Sequence, residues 1–592
     1  MDKVGNKFVS GGLLALVASV TAFASPPATV VPYRETGAAE SDAFKVTVND
    51  TPVFVAKHFD FSYAHFAFAG TVEVKITAHG GTAGYVLSPK SYGLPQPNGG
   101  KEVTFTLTVP RKLLLWRPQG VIDQCASEGE ERMGVLREDK LAIFADPLED
   151  GAPSLLDSSV LKLADYGGDL QKAVDAAASR PGGGTVWVPP GLFGGATLKS
   201  NVAIYLSPGA VLKRPLFAEG VKNIRVYGRG VLNCGTGDAF RAVASTGVRL
   251  EDFITIDAGT AVLHESFDAT LYNLKSMRFS RRAQTFDGNG TTHLLIDNVF
   301  FWASDDATAI GYRHNQHDVC VRNSVLGTWM TGSPLKTHGS FRPGQREPMY
   351  TAIKDFTMEN NDLLIGERLA SVIQDCGGMI ENYVYKNLRY EYTLGNSVCD
   401  VGYSTWNRER NRFGYGLMRN FSFSNIACHP AGAIILTGVN NEHPLVGITF
   451  DNFVRAGQLI REHAQLQIVG PVENIQFRQH EPVFVSVVAS RLYARVGEPG
   501  EFTVRRTGPT DSPLTLRYKV RGTAEAGIDY EALPGEVTIA AGQSSATIPV
   551  RVLRSIAGEL KTVLIALENA RLDPTWSLGP DYHAVVNLVG QP

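Results

Sequence analysis

The chain has 592 residues, 44% hydrophobic and 19% charged, with 56 basic and 59 acidic side chains for a formal charge of −3. That length predicts two to four domains, and the composition excludes a disordered chain. A near-neutral balance without a basic cluster gives no reason to expect nucleic acid as a partner.

The first 24 residues read as a secretory signal. Lys3 and Lys7 precede the apolar run GGLLALVASVTAFA, and Ala22-Phe23-Ala24 has the small-x-small pattern of a cleavage site before Ser25. The run is too short to span a bilayer, and no later stretch is long and apolar enough. The expectation is a secreted, monomeric protein, extracellular or periplasmic, with no membrane span.

Residues 41–157 alternate apolar and polar side chains in AFKVTVND, FAFAGTVEVKITAHG, KEVTFTLTVP and KLAIFADPLE, which predicts a β-sandwich. Glu128, Glu130 and Glu131 are expected in a solvated acidic loop. Within residues 158–482, DYGGDLQKAVDAAASR predicts one short capping helix near Asp169–Ala178. A loose repeat follows: NIRVYG, VRLEDFITI, ATLYNLKSM, HLLIDNVFF, VCVRNSVLG, FTMENNDLL, FSFSNIAC and ITFDNFV. Each copy alternates apolar residues and most then carry Asn or Asp, and most gaps are about 20–30 residues, the pattern of a solenoid. A right-handed parallel β-helix fits best, with Asn298, Asn323 and Asn382 in an asparagine ladder. Residues 483–592 change to antiparallel strands and hairpin turns, predicting a second β-sandwich. The fold class is therefore all-β. Six cysteines with no CxxC give no zinc pattern, and either disulfides or buried thiols suit export.

FDGNGTTHLLIDNVFFWASDD places Asp287 before one strand and Asp305-Asp306 after it. Turn aspartates that bond their own backbone explain most Asp-Gly and Ser-Asp sites. The sharper alternative is that folding gathers the three as an acid-base site. GGGTVWVPPGLF and LKSNVAIYLSPGAVLKR resemble the opening coils of the pectin-lyase-like β-helix superfamily. An Asp on one coil and an Asp-Asp pair on the next resembles the triad shared by polygalacturonases and the dextranase/isopullulanase family. VLGTWMTGSPLKTHG lacks the Gly-His-Gly of polygalacturonases and is closer to the tryptophan-containing segment of the dextranase side, whose layout also includes a preceding sandwich. GTAEAGIDYEALPGEVTIAAGQSSATIPVRVL resembles a Calx-β module, with Arg554-Ser555 where acidic calcium ligands often stand.

The resemblance implies a glycoside hydrolase that inverts configuration on a polysaccharide, an α-glucan first and pectin second, with Asp305 as acid and Asp287 and Asp306 activating water. No cofactor and no metal is expected. Candidate substrate-binding residues are Trp302, Trp329, Lys336, His338 and Asp375, with plain packing an even alternative for the two tryptophans. Arg313 and His314 are expected only to decorate a turn. A polysaccharide lyase or a non-catalytic carbohydrate-binding solenoid are the rival classes, separated by reducing-sugar release and by absorbance of unsaturated product.

Overall fold

The computed structural model describes residues 28–132, 139–280, 283–311, 314–339, 352–374, 377–403, 415–558, 560–569 and 576–590. The leader expected at residues 1–24 lies outside them, as do Arg313, Asp375 and Cys376. No helix among the described residues is long and apolar enough to cross a membrane.

The centre of the chain winds as a right-handed parallel β-helix with three strand columns. One column is an 11-stranded parallel sheet from Ala196–Thr197 to Gln467–Val469, and the other two merge into a 22-stranded sheet. The sequence repeat sets the register of that larger sheet: Ile224 pairs with Val248, Val248 with Ala269, Ala269 with Leu294, Leu294 with Val319, and Val319 with Phe356. These residues are at most 1% exposed and fill the interior. Toward the C-terminal coils the interior becomes aromatic, with Phe356 stacked on Tyr383 at 4.6 Å and Tyr385 on Phe423 at 4.9 Å.

The Asn of each repeat has a backbone role. Asn273, Asn298, Asn323, Asn360, Asn387, Asn425 and Asn452 all have φ between +50° and +57° and turn the chain from the first column to the second. Asn tolerates this left-handed region better than other L residues with a Cβ. Their amides ladder where they can: Asn360 donates to Asn323 at 2.8 Å and Asn452 to Asn425 at 3.1 Å. Asn382 belongs to a second such column, accepting from Asn420 at 3.0 Å and donating to Asp355 at 2.8 Å. Asn298 instead accepts from Lys112 Nζ at 2.7 Å, so it ties the amino-terminal sandwich to the helix.

The N-terminal end of the solenoid is closed by helix α2 (Leu170–Ala178), which Asp169 caps by accepting from the Lys172 amide at 3.1 Å. Leu170, Ala173, Val174 and Ala177 are buried on the coils beneath it.

Ahead of the solenoid, a four-stranded sheet (Thr51–Val53, Phe44–Val48, Val72–Ala78, Glu102–Leu107) packs on a larger sheet centred on Phe61–Ala69, Lys140–Pro147 and Arg111–Trp116. The acidic loop expected around Glu128 is a correction: the backbone from Pro118 to Arg132 is helix α1. Its anchors are Val121, 1% exposed, and Cys125, whose Sγ donates to the Trp329 carbonyl at 3.0 Å. The C-terminal residues form facing sheets of four and five strands. Cys125, Cys234, Cys320, Cys399 and Cys428 are thiols that form no disulfide among the described residues.

Candidate active site

Asp305 and Asp306 occupy the turn between the strands Phe300–Ala303 and Thr308–Ile310. The apolar side chains on either side, Phe301, Ala303, Ala307 and Ile310, point into the core and fix where the turn begins and ends. Backbone bonds hold it on the preceding coil, with Asp305 N donating to Ala283 O at 3.3 Å and Thr285 N to Asp306 O at 3.2 Å. Strict strand alternation would send neighbouring side chains to opposite faces, and the turn removes that constraint. The Asp306 amide donates to Asp305 Oδ1 at 2.9 Å, and the Ser333 amide donates to Asp306 Oδ1 at 2.9 Å. Asp306 is 2% exposed, with Lys336 Nζ 3.9 Å from the same oxygen.

Asp287 lies one coil earlier on the strand Phe286–Asn289. It pairs with Ala309, and Ala309 pairs with Lys336, so Asp287 and Lys336 share one outward row. The row continues through Ser371 to Asp400. Thr285 stacks on Asp306. From a rise of about 3.3 Å per residue and about 4.8 Å between strands, the backbones of Asp287 and Asp306 stand roughly 8 Å apart. Asp287 Oδ2 is 3.5 Å from His264 Nε2, and its Oδ1 is buried without a hydrogen-bond partner among the described residues.

Burial, and next the negative charge of Asp306, push the Asp305 carboxyl up to about 7, against the opposing pull of Lys336 and the Asp306 amide. A carboxylic acid that keeps its proton to that pH is a competent general acid near neutrality. On the following coils Arg368 lies 3.1 Å from Glu367 and 3.6 Å from Asp400, while Thr331 Oγ1 donates to Glu367 at 3.2 Å. Burial raises the Asp400 carboxyl, with Arg368 and Lys336 acting against it. The cations of this wall are thus matched by carboxylates.

Trp302 and Trp329 are corrected as sugar platforms. Each is 1% exposed and packs in the apolar seam between the amino-terminal sandwich and the solenoid. The Trp302 ring meets Trp116 at 5.5 Å, and Trp329 Nε1 donates to the Arg278 carbonyl at 3.0 Å. Neither indole offers a face to a ligand. The seam nevertheless positions the site, because Trp329 begins the turn that wraps Asp305 and Asp306. His338, for which the sequence equally allows an exposed loop histidine, is instead on the strand Leu335–Gly339, two positions beyond Lys336, and is 7% exposed. His314 lies 3.8 Å from Glu265 at a turn. Asp375 falls outside the described residues.

Sequence reasoning missed Glu367, Arg368 and Asp400, along with Asp238, His264 and Arg278. A signal existed for the first two: Glu367-Arg368 follows the strand Asp362–Gly366 at the turn that holds Asp305-Asp306 two coils earlier. The others come from separate coils with no shared spacing.

No protein-family model matches the chain, and no curated protein matches it. Among solved structures the chain is similar to Dex49A from Penicillium minioluteum, with 11% identity, 76% of this chain and 96% of that one covered, and a TM-score of 0.46. It is also similar to the family 28 exopolygalacturonase of Yersinia enterocolitica, with 11% identity, coverage of 68% and 96%, and a TM-score of 0.36. A third similarity, to the apo-form Calx CBD1 domain, has 20% identity, coverage of 19% and 100%, and a TM-score of 0.17.

Proposed function

We propose that the protein is a secreted glycoside hydrolase that cleaves internal bonds of an α-glucan with inversion, using Asp305 as general acid and Asp287 and Asp306 to activate water. The observation that carries this is the Asp305 carboxyl, raised to about 7 beside ionisable Asp306 in the same wall as Asp287. Glycoside hydrolysis needs one carboxyl that stays protonated to donate to the departing oxygen and one carboxylate to take a proton from water. Inversion needs room for that water, a separation of about 6.5–9.5 Å between the groups, which stacked coils supply. A neutral glucan suits the wall better than a uronic acid polymer, because Lys336 and Arg368 already face carboxylates.

The test is reducing-sugar release from a polysaccharide panel, with the product anomer read by NMR in the first minutes. General acid–base assistance contributes about 10²–10⁴-fold, so Asp305→Asn should lose at least about 10²-fold in kcat while the protein still folds. Asp268→Asn, a half-exposed carboxylate beside Arg249 at 3.5 Å, should leave turnover intact. Near-wild-type turnover of Asp305→Asn would return these aspartates to the role of turn residues. A retained anomer would remove the inverting mechanism alone.

A further inference from the structure

Around Asp238, whose carboxyl feels Arg278, Asp287 and His264, four buried polar atoms have no hydrogen-bond partner among the described residues: Arg278 Nε, Arg278 Nη1, His264 Nε2 and Asp287 Oδ1. Arg278 is 7% exposed and its backbone is fixed, with its amide donating to Trp302 O at 2.8 Å and its carbonyl accepting from Trp329 Nε1 at 3.0 Å. Among the described residues only Nη2 is engaged, donating to Thr236 O at 3.2 Å. A buried guanidinium with two vacant donors is costly, and natural proteins keep such groups where something else completes them.

The place is the turn column that holds Asp305-Asp306, on its N-terminal side. Arg278 follows the strand Lys275–Met277, at the start of the turn that leads to Asp287. Asp238 is on an earlier coil, bridged to Gly259. A Cβ on Gly259 would stand 2.9 Å from Arg278 Nη1 and 3.0 Å from Asp238 Oδ1, so both atoms flank a point that only glycine leaves open.

We propose that Arg278 and Asp238, with His264, form a sugar-binding subsite beside Asp287 that recognises two adjacent free hydroxyls of an uncharged pyranose. This rests on the hydrolase reading above and names the hydroxyl pattern that the groove selects. Arg278 supplies donor hydrogens to one hydroxyl oxygen, and Asp238 accepts a hydroxyl hydrogen from its neighbour. The guanidinium charge acts on both Asp257 and Asp238, and Asp287 adds a third carboxylate. Asp257 itself is held by the amides of Phe279 at 3.0 Å and Ser280 at 2.7 Å. Arg241 also acts on Asp238, so two guanidiniums stand against three carboxylates, and these groups offer hydrogen-bond donors without net positive charge, which favours hydroxyls over a sugar carboxylate.

The experiment uses the whole chain carrying Arg278→Lys, which keeps the charge and loses the fork, or Asp238→Asn, which is isosteric. Dextran and polygalacturonate are assayed in parallel, with Asp305→Asn as the inactive reference. Lost hydrogen bonds to charged groups should raise KM for dextran about 10–100-fold with a much smaller change in kcat and an unchanged melting temperature. A purely structural role would lower kcat and melting temperature together. If Arg278→Lys fails to fold, Asp238→Asn decides, because Asp238 is only half-buried. Unchanged kcat/KM in folded variants overturns the subsite while an inactive Asp305→Asn leaves the hydrolase reading in place. Hydrolysis of polygalacturonate alone overturns the subsite and the α-glucan assignment while leaving a glycoside hydrolase, whereas no hydrolysis or binding of either polymer by the wild type ends both.

Discussion

Gly332 lies against Asp305 so closely that a methyl group on its Cα would stand 2.7 Å from Asp305 Oδ1. The same methyl would be 2.7 Å from the Asp306 amide and from Asp306 Oδ1, and the glycine φ of +81° already disfavours any side chain. The turn from Trp329 to Pro334 is thereby drawn over the carboxyl pair, and it delivers the Ser333 amide to Asp306. Gly332→Ala should displace both carboxyls. Misplacement of reacting groups by about 1 Å costs on the order of 10²-fold, so kcat should fall by about that factor with KM less affected. Steady-state kinetics beside a thermal melt check this, and a variant of normal kcat would show that the pair tolerates the shift.

The Asp305 carboxyl predicts the alkaline limb of the pH profile. The group is useful as an acid only while protonated, so kcat/KM should fall about tenfold per pH unit above about 7. Stability should run in the same direction. The folded state holds a proton that the unfolded chain releases near the ordinary value of 3.8, so this contribution is present at low pH and is lost as pH rises toward 7. Asp305→Asn removes the penalty of ionising a buried carboxyl and should be more stable than wild type at pH 8 but not at pH 4. The displacement is worth at most about 4 kcal/mol, before solvent and relaxation reduce it. Melting curves of both proteins at the two pH values decide it.

The repeats made the solenoid legible because two independent constraints recur in most coils. One is the inward apolar side chain, as at Val248 and Leu294, and the other is the Asn that supplies a left-handed turn, as at Asn323 and Asn360. The pair Asp305-Asp306 was legible for the same reason, since an aspartate pair directly after an apolar strand has to stand at a coil corner. Trp302 and Trp329 were ambiguous because packing against another domain leaves no periodic trace, and Trp116 is nearly 190 residues away in sequence. Helix α1 was hidden by its glutamates, which read as a loop until the anchors Val121 and Cys125 had a surface to meet.

Asp297 illustrates the same limit on a single strand. From sequence it is a carboxylate outside the triad, suited to be a neutral control. In the structure it is 8% exposed, and Arg322 donates to its Oδ2 from Nε at 3.0 Å while Asn323 donates to its Oδ1 at 2.9 Å. Arg322 also reaches Glu568 at 3.1 Å, so the pair joins the solenoid to the C-terminal sandwich. Removing one partner of a buried pair costs about 3–5 kcal/mol. Asp297→Ala should therefore lower the denaturation midpoint strongly, with kcat of the folded fraction unchanged. A melt identical to wild type would show that the junction does not depend on this pair.

The C-terminal sandwich carries a carboxylate whose charge is already matched from within the chain. Asp529 is fully buried, with Arg554 Nη2 2.7 Å from Oδ1 and Lys561 Nζ 2.5 Å from Oδ2. The Glu525 amide adds a third donor at 2.8 Å. Burial alone would raise this carboxyl, but Lys561, the Glu525 amide and Arg554 outweigh it and hold it down to about 2. A divalent cation would have to displace two bound side-chain cations to reach these oxygens. Chelator added to the whole chain should therefore leave its melting temperature unchanged, and millimolar calcium should not raise it, since only a ligand that binds the folded state stabilises it. Lys561→Met should instead destabilise, because it leaves a buried carboxylate with one of its two cationic partners. The sign with pH follows: this stabilisation is full above the ordinary carboxyl value of 3.8 and is lost as pH falls toward 2, so wild type and Lys561→Met should converge in acid. A rise in melting temperature with calcium, reversed by chelator, would show that the oxygens of Asp529 serve a metal after all.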